Sequence, residues 1–452
     1  MLVGFGYNAF EQLISTEKRC ISTPVPIFAD QCSDGNFKVI IQWGSIHLLK
    51  DHQVICSSKS CLCSLLRSSK EVQKEKITDV DFRGNAAAVV VTKTGVLVVN
   101  KNGSIERVES SSDVTGCRFK TVRVGDTHII ATKADGSCGE VVYNEASYVY
   151  RPILLGRVCH VTCGKDHVLF LTESGEVYSY GIGSRGQLGH GQPDSEKSPR
   201  VVEALQGITV SAVSCGGWHS AALSGIGDVY IWGWNESGQI GFAMKPKPTF
   251  TSENEKFNTE KDSYQNQPYF DQKAEEEFSS ESREIDMKFK CKEPEREMHA
   301  IDLNRIKSSY ELPLPLKTER ADDNEASCCE DGADVSTCKD ITIQFSMLPS
   351  LLDFPDDFSV SKISCGSRHT AAVLENGKLY TWGWGKYGQL GHGDTKTIDR
   401  PTLVTALEDK QVVDVVCGEW NTVVVCESLP PPSQSLLEEP ALYHSAMTEP
   451  YH

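Results

Sequence analysis

The sequence contains no apolar run of about 18 residues or more, so no membrane-spanning helix is expected. Its first residues have neither a basic cluster nor a long apolar stretch, which argues against a secretory signal. Positive charge is scarce, because 45 Lys and Arg stand against 62 Asp and Glu, giving a formal net charge of −17. So acidic a chain is a poor general binder of nucleic acid phosphates.

The usual sequence signatures of enzymes are also missing. There is no P-loop, no metalloprotease pattern and no Cys-x-x-Cys pair. Residues 181–186 and 383–388 match the Gly-x-Gly-x-x-Gly dinucleotide fingerprint, but a second glycine-rich stretch follows each of them instead of a helix. We therefore interpret both as tight turns that require glycine. No catalytic residue, cofactor, metal or small-molecule substrate is predicted.

Cysteine is abundant, at 17 residues. An odd number in a long chain without a secretory signal favours reduced thiols inside a cell over a disulfide scaffold.

The acidity is concentrated in one segment. Residues 245–340 hold 15 Lys and Arg against 24 Asp and Glu, a net charge of −9, which leaves −8 for the rest of the chain. A segment this polar cannot bury enough apolar surface to offset the entropy of ordering, so we expect a disordered insertion. The proline-rich, acidic tail 429–452 is expected to be disordered for the same reason.

An internal repeat dominates the remaining sequence. A Cys-Gly-x-x-His motif is followed by an apolar strand, a glycine turn, an aromatic strand and a Gly-Gln-Leu/Ile-Gly stretch. The signature residues, to which we assign a structural role, are Cys163, Gly164, His167, Cys215, Gly216, His219, Trp232, Cys365, Gly366, His369 and Trp382.

Weaker copies extend the repeat to the N-terminus. The glycine positions, or their equivalents, fall at residues 44, 82, 125, 164, 216, 366 and 418, with Phe82 and Asn85 standing for the glycine and histidine of the second copy. The successive spacings are 38, 43, 39, 52, 150 and 52, and only the 150 is irregular, because it contains the acidic insertion. Seven copies are therefore predicted.

Short strands with glycine turns at this period are typical of a β-propeller. We predict an all-β, seven-bladed propeller in which the N-terminal segment completes the last blade and closes the ring. The predicted boundaries are residues 1–244 for the first part (degenerate blades 1–160, well-preserved blades 161–244), 245–340 for the insertion, 341–428 for the final blades and 429–452 for the tail.

The paired Cys and His residues at i and i+4 could in principle bind a metal. A structural zinc site needs about four converging ligands, however, and each pair belongs to a different blade. We interpret the histidine rings as holding the turn backbone and the cysteines as small buried apolar groups. Ser220 and Thr370, beside two of the histidines, recur with the repeat and are interpreted as structural. Trp232 and Trp234 are interpreted as blade packing.

The Cys-Gly-x-x-His and Gly-x-Gly-Gln-Leu-Gly-His-Gly motifs resemble the regulator of chromosome condensation repeat family, whose fold is a seven-bladed propeller. The resemblance implies a non-enzymatic, chromatin-associated interaction scaffold with a protein partner, such as a JmjC-type oxygenase, and roles in histone methylation and chromosome segregation. It implies a nuclear, chromosome-associated location, with the cytoplasm as the alternative, and indirect association with chromatin.

The alternative implied by the resemblance is a guanine-nucleotide exchange factor for a Ran-like GTPase. The family match covers the blade framework and not the exchange residues, so no residue here is assigned that role. Function resides in the site and not in the fold, which favours the scaffold.

One segment between the two halves is a candidate partner contact. Residues 148–152 join the degenerate and preserved halves, and Pro152 biases Arg151 towards an extended backbone. Tyrosine and arginine are enriched where binding energy is concentrated. Arg151 is therefore our candidate for both partner contact and hydroxylation.

Overall fold

The fold was analysed in a computed structural model of the chain. The structure describes residues 1–243 and 344–427, apart from residues 10, 15, 17, 29–36, 42–44, 58–61, 84–86, 111–117 and 356–357. The predicted disorder of the insertion 245–340 and of the tail 429–452 lies outside the described residues. Within the described ranges, no helix is long and apolar enough to span a membrane.

Seven sheets succeed one another along the chain and confirm the predicted seven-bladed propeller. The N-terminal strands are β1 (Leu2–Tyr7) and β2 (Cys20–Pro26). The first blade contains β3 (Phe37–Ile41), β4 (Ile46–Lys50) and β5 (Gln53–Cys56), followed by helices α1 (Leu62–Ser68) and α2 (Lys70–Lys74). The second contains β6 (Ile77–Arg83), β7 (Ala87–Thr92), β8 (Val96–Asn100) and β9 (Ile105–Arg107). The third contains β10 (Glu109–Ser110), β11 (Phe119–Val124), β12 (Ile129–Lys133), β13 (Cys138–Tyr143) and β14 (Tyr148–Ile153).

The better-preserved copies form four-stranded blades. The fourth contains β15 (Val158–Cys163), β16 (His167–Thr172), β17 (Val177–Gly181) and β18 (Glu196–Val201). The fifth contains β19 (Val210–Cys215), β20 (His219–Ser224), β21 (Val229–Trp234) and β22 (Phe345–Leu352). The sixth contains β23 (Val360–Cys365), β24 (His369–Leu374), β25 (Leu379–Gly383) and β26 (Ile398–Leu403), and the chain ends with β27 (Gln411–Cys417) and β28 (Asn421–Glu427). Short 3-10 turns at Glu203–Leu205 and Thr405–Leu407 precede the fifth and seventh blades.

The N-terminus closes the ring, as predicted. The seventh sheet has the order β2-β1-β28-β27, so its two outer strands come from the start of the chain and its two inner strands from the end. Strand β1 is antiparallel to β28, with Leu2 opposite Val425 and Gly6 opposite Asn421. Joining the two ends in one sheet leaves no unpaired edge between the first and last blades.

Apolar clusters lie between consecutive blades and hold them together. Trp382 of the sixth blade is fully buried and packs with Ile231, Ile240 and Leu352 of the fifth. Trp232 of the fifth blade is likewise fully buried, against Leu169 and neighbouring residues of the fourth. Each preserved aromatic strand therefore joins its own blade to the preceding one.

The structure corrects the assignment of the second copy. Phe82 pairs with Ala88 as Cys163 pairs with Val168, so Phe82 occupies the cysteine position and not the glycine position. Asn85 lies outside the described residues. The two short helices of the first copy were not predicted either; α2 begins after Ser69, whose Oγ accepts a hydrogen bond from the Val72 amide at 3.2 Å.

The position of the insertion also differs from expectation. The sequence predicts that it replaces a loop between blades, by analogy with residues 392–401. The insertion instead lies inside the fifth blade, between β21 and β22, and residues 392–401 likewise lead from β25 to β26 within the sixth. Trp234 pairs directly with Phe345, so the strand before the insertion and the strand after it are neighbours in one sheet.

We expect that replacing residues 247–339 with a short Gly/Ser linker will leave the thermal unfolding temperature nearly unchanged. The sixth blade bridges the same pair of strand ends with residues 384–397, and loop-closure entropy grows only logarithmically with loop length. Thermal unfolding followed by circular dichroism measures the change. Loss of soluble expression would show that the segment contributes to the core.

Candidate interaction surface

In each preserved blade, two loops lie next to each other on the same side of the propeller. His219, at the start of β20, pairs with Gly233 near the end of β21, which brings the Gly-x-x-His loop beside the loop that follows the third strand. His369 and Gly383 repeat this pairing in the sixth blade. We call this end of the blades the histidine face.

The signature histidines bond to the next blade and not to the backbone of their own turn, which corrects the sequence interpretation. The Nε2 atoms of His167, His219 and His369 lie 2.9, 2.9 and 3.0 Å from the hydroxyl oxygens of Ser220, Thr370 and Thr422, respectively. Each hydroxyl in turn donates to the carbonyl of Gln187, Gln239 or Gln389 at 2.7–2.8 Å. The hydroxyl proton is thus committed, so the histidine Nε2–H is the donor.

These rings are held neutral. All three are fully buried, and burial lowers the pKa of each to about 3. The Nδ1 atoms have no hydrogen-bond partner among the described residues, which fits the tautomer protonated on Nε2.

The signature glycines and cysteines pack in the same inter-blade contact. A Cβ atom on Gly216 would clash with the ring of His219 and lie 2.6 Å from the carbonyl oxygen of Gly366 in the next blade. Gly164 and Gly366 are in the same situation, so only glycine fits there. Cys215 and Cys365 are buried and Cys163 is half-buried. Desolvation raises the pKa of Cys365 to about 12 and those of Cys163 and Cys215 above their ordinary value. In the ranges that the structure describes, no three His, Cys, Asp or Glu residues converge as a metal site.

A second set of hydrogen bonds between blades was not predicted from the sequence. The residue before each signature cysteine accepts a hydrogen bond from the next blade: Thr162 from the Cys215 amide, Ser214 from that of Cys365, and Ser364 from that of Cys417, at 2.9–3.2 Å. The recurring Ser or Thr at that position is the sequence feature that indicates these hydrogen bonds.

In the degenerate half, an aspartate stands at this position before the cysteine equivalent. Asp81 accepts from the Val124 amide of the third blade at 3.0 Å. Nearby, Asp79 is paired with Lys38 at 2.5 Å and with Arg123 at 3.0 Å, so three successive blades are joined by charge. Burial raises the pKa of Asp81 and lowers that of Lys38. This network therefore joins neighbouring blades through charges that are already paired with one another.

The histidine face carries a cluster of cations and tryptophans. The Arg185 guanidinium lies 4.4 Å from the ring centres of both Trp218 and Trp234, and that of Arg368 lies 4.9 Å from Trp234. The Lys165 ammonium lies 4.7 Å from Trp218. We call these five half-buried residues the arginine–tryptophan cluster.

The cluster corrects the interpretation of one predicted packing residue. Trp232 is fully buried, with its Nε1 donating to the Gln187 carbonyl at 2.9 Å, but Trp234 is half-buried and packs perpendicular to Trp218 at 5.3 Å. The register of β21 against β22 shifts between Ile231 and Gly233, and Gly233 has a φ of 101°, so the regular alternation of side chains is broken just before Trp234. The spacing of Trp232 and Trp234 did not indicate this difference, because residues i and i+2 of a regular strand share a face.

Arg151 lies outside this cluster, in the third blade. It is exposed on β14, the strand that follows β13 in the third blade, where it stands opposite Glu140. The extended backbone predicted for it is present. The structure does not bring Arg151 together with the signature residues in a hydrogen bond, ion pair or shared core cluster.

Comparison with known proteins shows which repeat models these copies match. The model of the regulator of chromosome condensation (RCC1) repeat matches residues 174–223 and 376–425, and a second model of this repeat matches 158–187, 210–239 and 360–389. The chain is 37% identical over 290 residues to RCC1 domain-containing protein 1 of Homo sapiens and 38% identical over 270 residues to that of Mus musculus.

These alignments cover 64% and 59% of the chain but only 61% and 55% of the two relatives. Among solved structures, Prp20p from Saccharomyces cerevisiae, described with its binding to Gsp1p and histones, superposes with a TM-score of 0.61 over 95% of this chain and 92% of its own. At 15% identity, that likeness shows the fold alone. The chain is therefore a seven-bladed propeller that carries regulator of chromosome condensation (RCC1) repeats.

Proposed function

We propose that this propeller is a non-catalytic, chromatin-associated scaffold that holds a protein partner on its histidine face. The observation that carries the proposal is the arginine–tryptophan cluster. Tryptophan and arginine are the residues most enriched at binding hot spots, and here they stand on loops fixed by a rigid frame. The repeats and the RCC1 domain-containing relatives support a nuclear, chromosome-associated role.

The finer proposal concerns the partner. We propose a JmjC-type oxygenase, with the complex acting in histone methylation and chromosome segregation and reaching chromatin indirectly. Arg151 is proposed as a second contact and as the hydroxylated residue, because it is exposed in an extended segment that an enzyme cleft can receive.

Affinity purification with mass spectrometry tests both parts. Trp218→Ala is expected to reduce recovery of the oxygenase about tenfold or more, the range for a hot-spot tryptophan. Phe358→Ala is the matched control, because Phe358 is an exposed aromatic, 53% accessible, and precedes β23 at the end opposite Cys365. Arg151→Ala tests the second contact, and the mass of the wild-type peptide containing Arg151 reports any added oxygen atom.

Two results would contradict these proposals. Undiminished recovery with folded Trp218→Ala would remove the cluster as the docking site, and an unmodified Arg151 with undiminished recovery of Arg151→Ala would remove that residue. Rapid GDP release from any member of a panel of Ran-like GTPases would instead favour the exchange factor.

A further inference from the structure

A second group of aromatic side chains lies on the histidine face, between the sixth and seventh blades. The ring centres of Trp384 and Trp420 are 4.7 Å apart, and Tyr387 lies 5.0 Å from the first and 5.7 Å from the second. Tyr7 adds a fourth ring 4.9 Å from Tyr387. We call these four residues the aromatic corner, because the planes of Trp384, Tyr387 and Trp420 meet at 63–86°.

Closure of the ring builds this corner. Tyr7 is the last residue of β1, and its amide donates to the Trp420 carbonyl at 2.9 Å. The Asn421 side chain donates to the Tyr7 carbonyl, also at 2.9 Å. Trp384, Tyr387 and Trp420 are half-buried, so their rings are held in place while part of each stays accessible.

The aromatic corner is the counterpart of the arginine–tryptophan cluster two blades further along. Aligned by the repeat, Trp420 occupies the position of Trp218 and Tyr7 that of Trp234, since Gly6 pairs with Asn421 as Gly233 pairs with His219.

Two positions differ in chemistry between the two sites. Tyr387 stands where the other site has Arg185, and Trp384 replaces Ile182. The first site therefore supplies its own guanidinium, whereas the second has a ring in that place.

A guanidinium thus already occupies one perpendicular tryptophan pair in this molecule, where Trp218 and Trp234 meet at 90°. In the described part of the chain, no lysine or arginine lies over Trp384 or Trp420. Electron-rich ring faces attract cations, most strongly at tryptophan. A chain of net charge −17 also attracts a basic partner over longer range.

We infer that the aromatic corner binds an arginine side chain of a basic peptide segment in the protein partner. The guanidinium would lie against Trp384 and Trp420, whose planes meet at 63°. This is not the pair that aligns with Trp218 and Trp234, but it offers a guanidinium the same kind of inclined tryptophan rings that Arg185 contacts. The inference deepens the scaffold proposal by naming the side chain that the partner offers, and it rests on that proposal only in taking the partner to be a protein.

Calorimetric titration of the full chain at low salt tests the inference with three synthetic peptides of equal length. They alternate glycine with arginine, with lysine or with trimethyl-lysine. The arginine peptide is expected to bind wild type most tightly, and Trp384→Leu and Trp420→Leu to weaken it about tenfold. Trp384→Phe keeps a ring face and should retain affinity within about threefold, whereas Phe358→Leu, outside both sites, should change nothing.

Thermal unfolding of each variant shows that it is folded. Equal binding of the arginine peptide by wild type and folded Trp384→Leu would overturn the inference, as would tighter binding of the trimethyl-lysine peptide. These outcomes are separable from failure of the scaffold proposal, which is read from recovery of the oxygenase with Trp218→Ala.

Discussion

Trp382→Ala will lower the free energy of unfolding by about 3–5 kcal/mol, the range for truncating a large buried aromatic side chain. Trp382 is fully buried, packs against Phe354 at 5.8 Å and donates from Nε1 to the Gln239 carbonyl at 3.1 Å. Its loss would open a cavity at the contact between the fifth and sixth blades and remove a bond that joins them. Trp232→Ala should have an effect of the same size at the preceding contact, for the same reasons.

Chemical denaturation of the variants measures this effect. Trp382→Phe separates packing from hydrogen bonding, because it keeps most of the volume and removes the Nε1 donor; we expect it to cost about 1–2 kcal/mol. Phe358→Ala, at an exposed position, should stay within about 0.5 kcal/mol of wild type. A change below about 1 kcal/mol for Trp382→Ala would contradict the buried position.

Acidification will lower the free energy of unfolding steeply between about pH 6.5 and pH 4, because His167, His219 and His369 are buried as neutral rings. Their folded pKa of about 3 lies below the unfolded value of about 6.5, so the unfolded state binds more protons in that window. The stability that they contribute is complete above pH 6.5 and is lost as the pH falls towards 3. Each histidine contributes a slope of about 1.4 kcal/mol per pH unit. Over about 2.5 pH units the three histidines together therefore remove about 10 kcal/mol, which is comparable with the whole stability of a typical domain.

The chain itself offers the matched variant for this test, because Asn421 occupies the histidine position in the seventh blade. His219→Asn is expected to reduce the slope of unfolding free energy against pH by about 1.4 kcal/mol per pH unit between pH 6.5 and 4. Asp81, Asp414 and Glu419 have pKa values raised by burial and act in the opposite sense, but they are common to both proteins. Parallel pH profiles for wild type and His219→Asn, measured by denaturant titration at several pH values, would exclude the histidines as the cause.

The residues of the candidate surface were predicted from the sequence, but their contacts with the next blade were not. The periodic Cys-Gly-x-x-His motif correctly marked the residues around which the blades meet, but the ring was assigned to its own turn. Ser220 lies 53 residues from His167, and Thr370 lies 151 residues from His219. A periodic pattern shows that the same contact recurs without showing which atoms of the next copy complete it. Trp384, Tyr387 and Trp420 were visible as motif residues, yet their meeting with Tyr7 depends on the two ends of the chain sharing a sheet.

The sequence by itself determined the number of blades, the closure by the N-terminal segment and the position of the acidic insertion along the chain. These properties follow from a one-dimensional period of strands and glycine turns, which any ring of such copies must obey. Only the tertiary structure decided that the insertion divides the fifth blade, that Phe82 stands at the cysteine position and that two aromatic sites share one face. Those outcomes depend on strand register and on how neighbouring blades approach each other, and contacts between side chains distant in sequence set both.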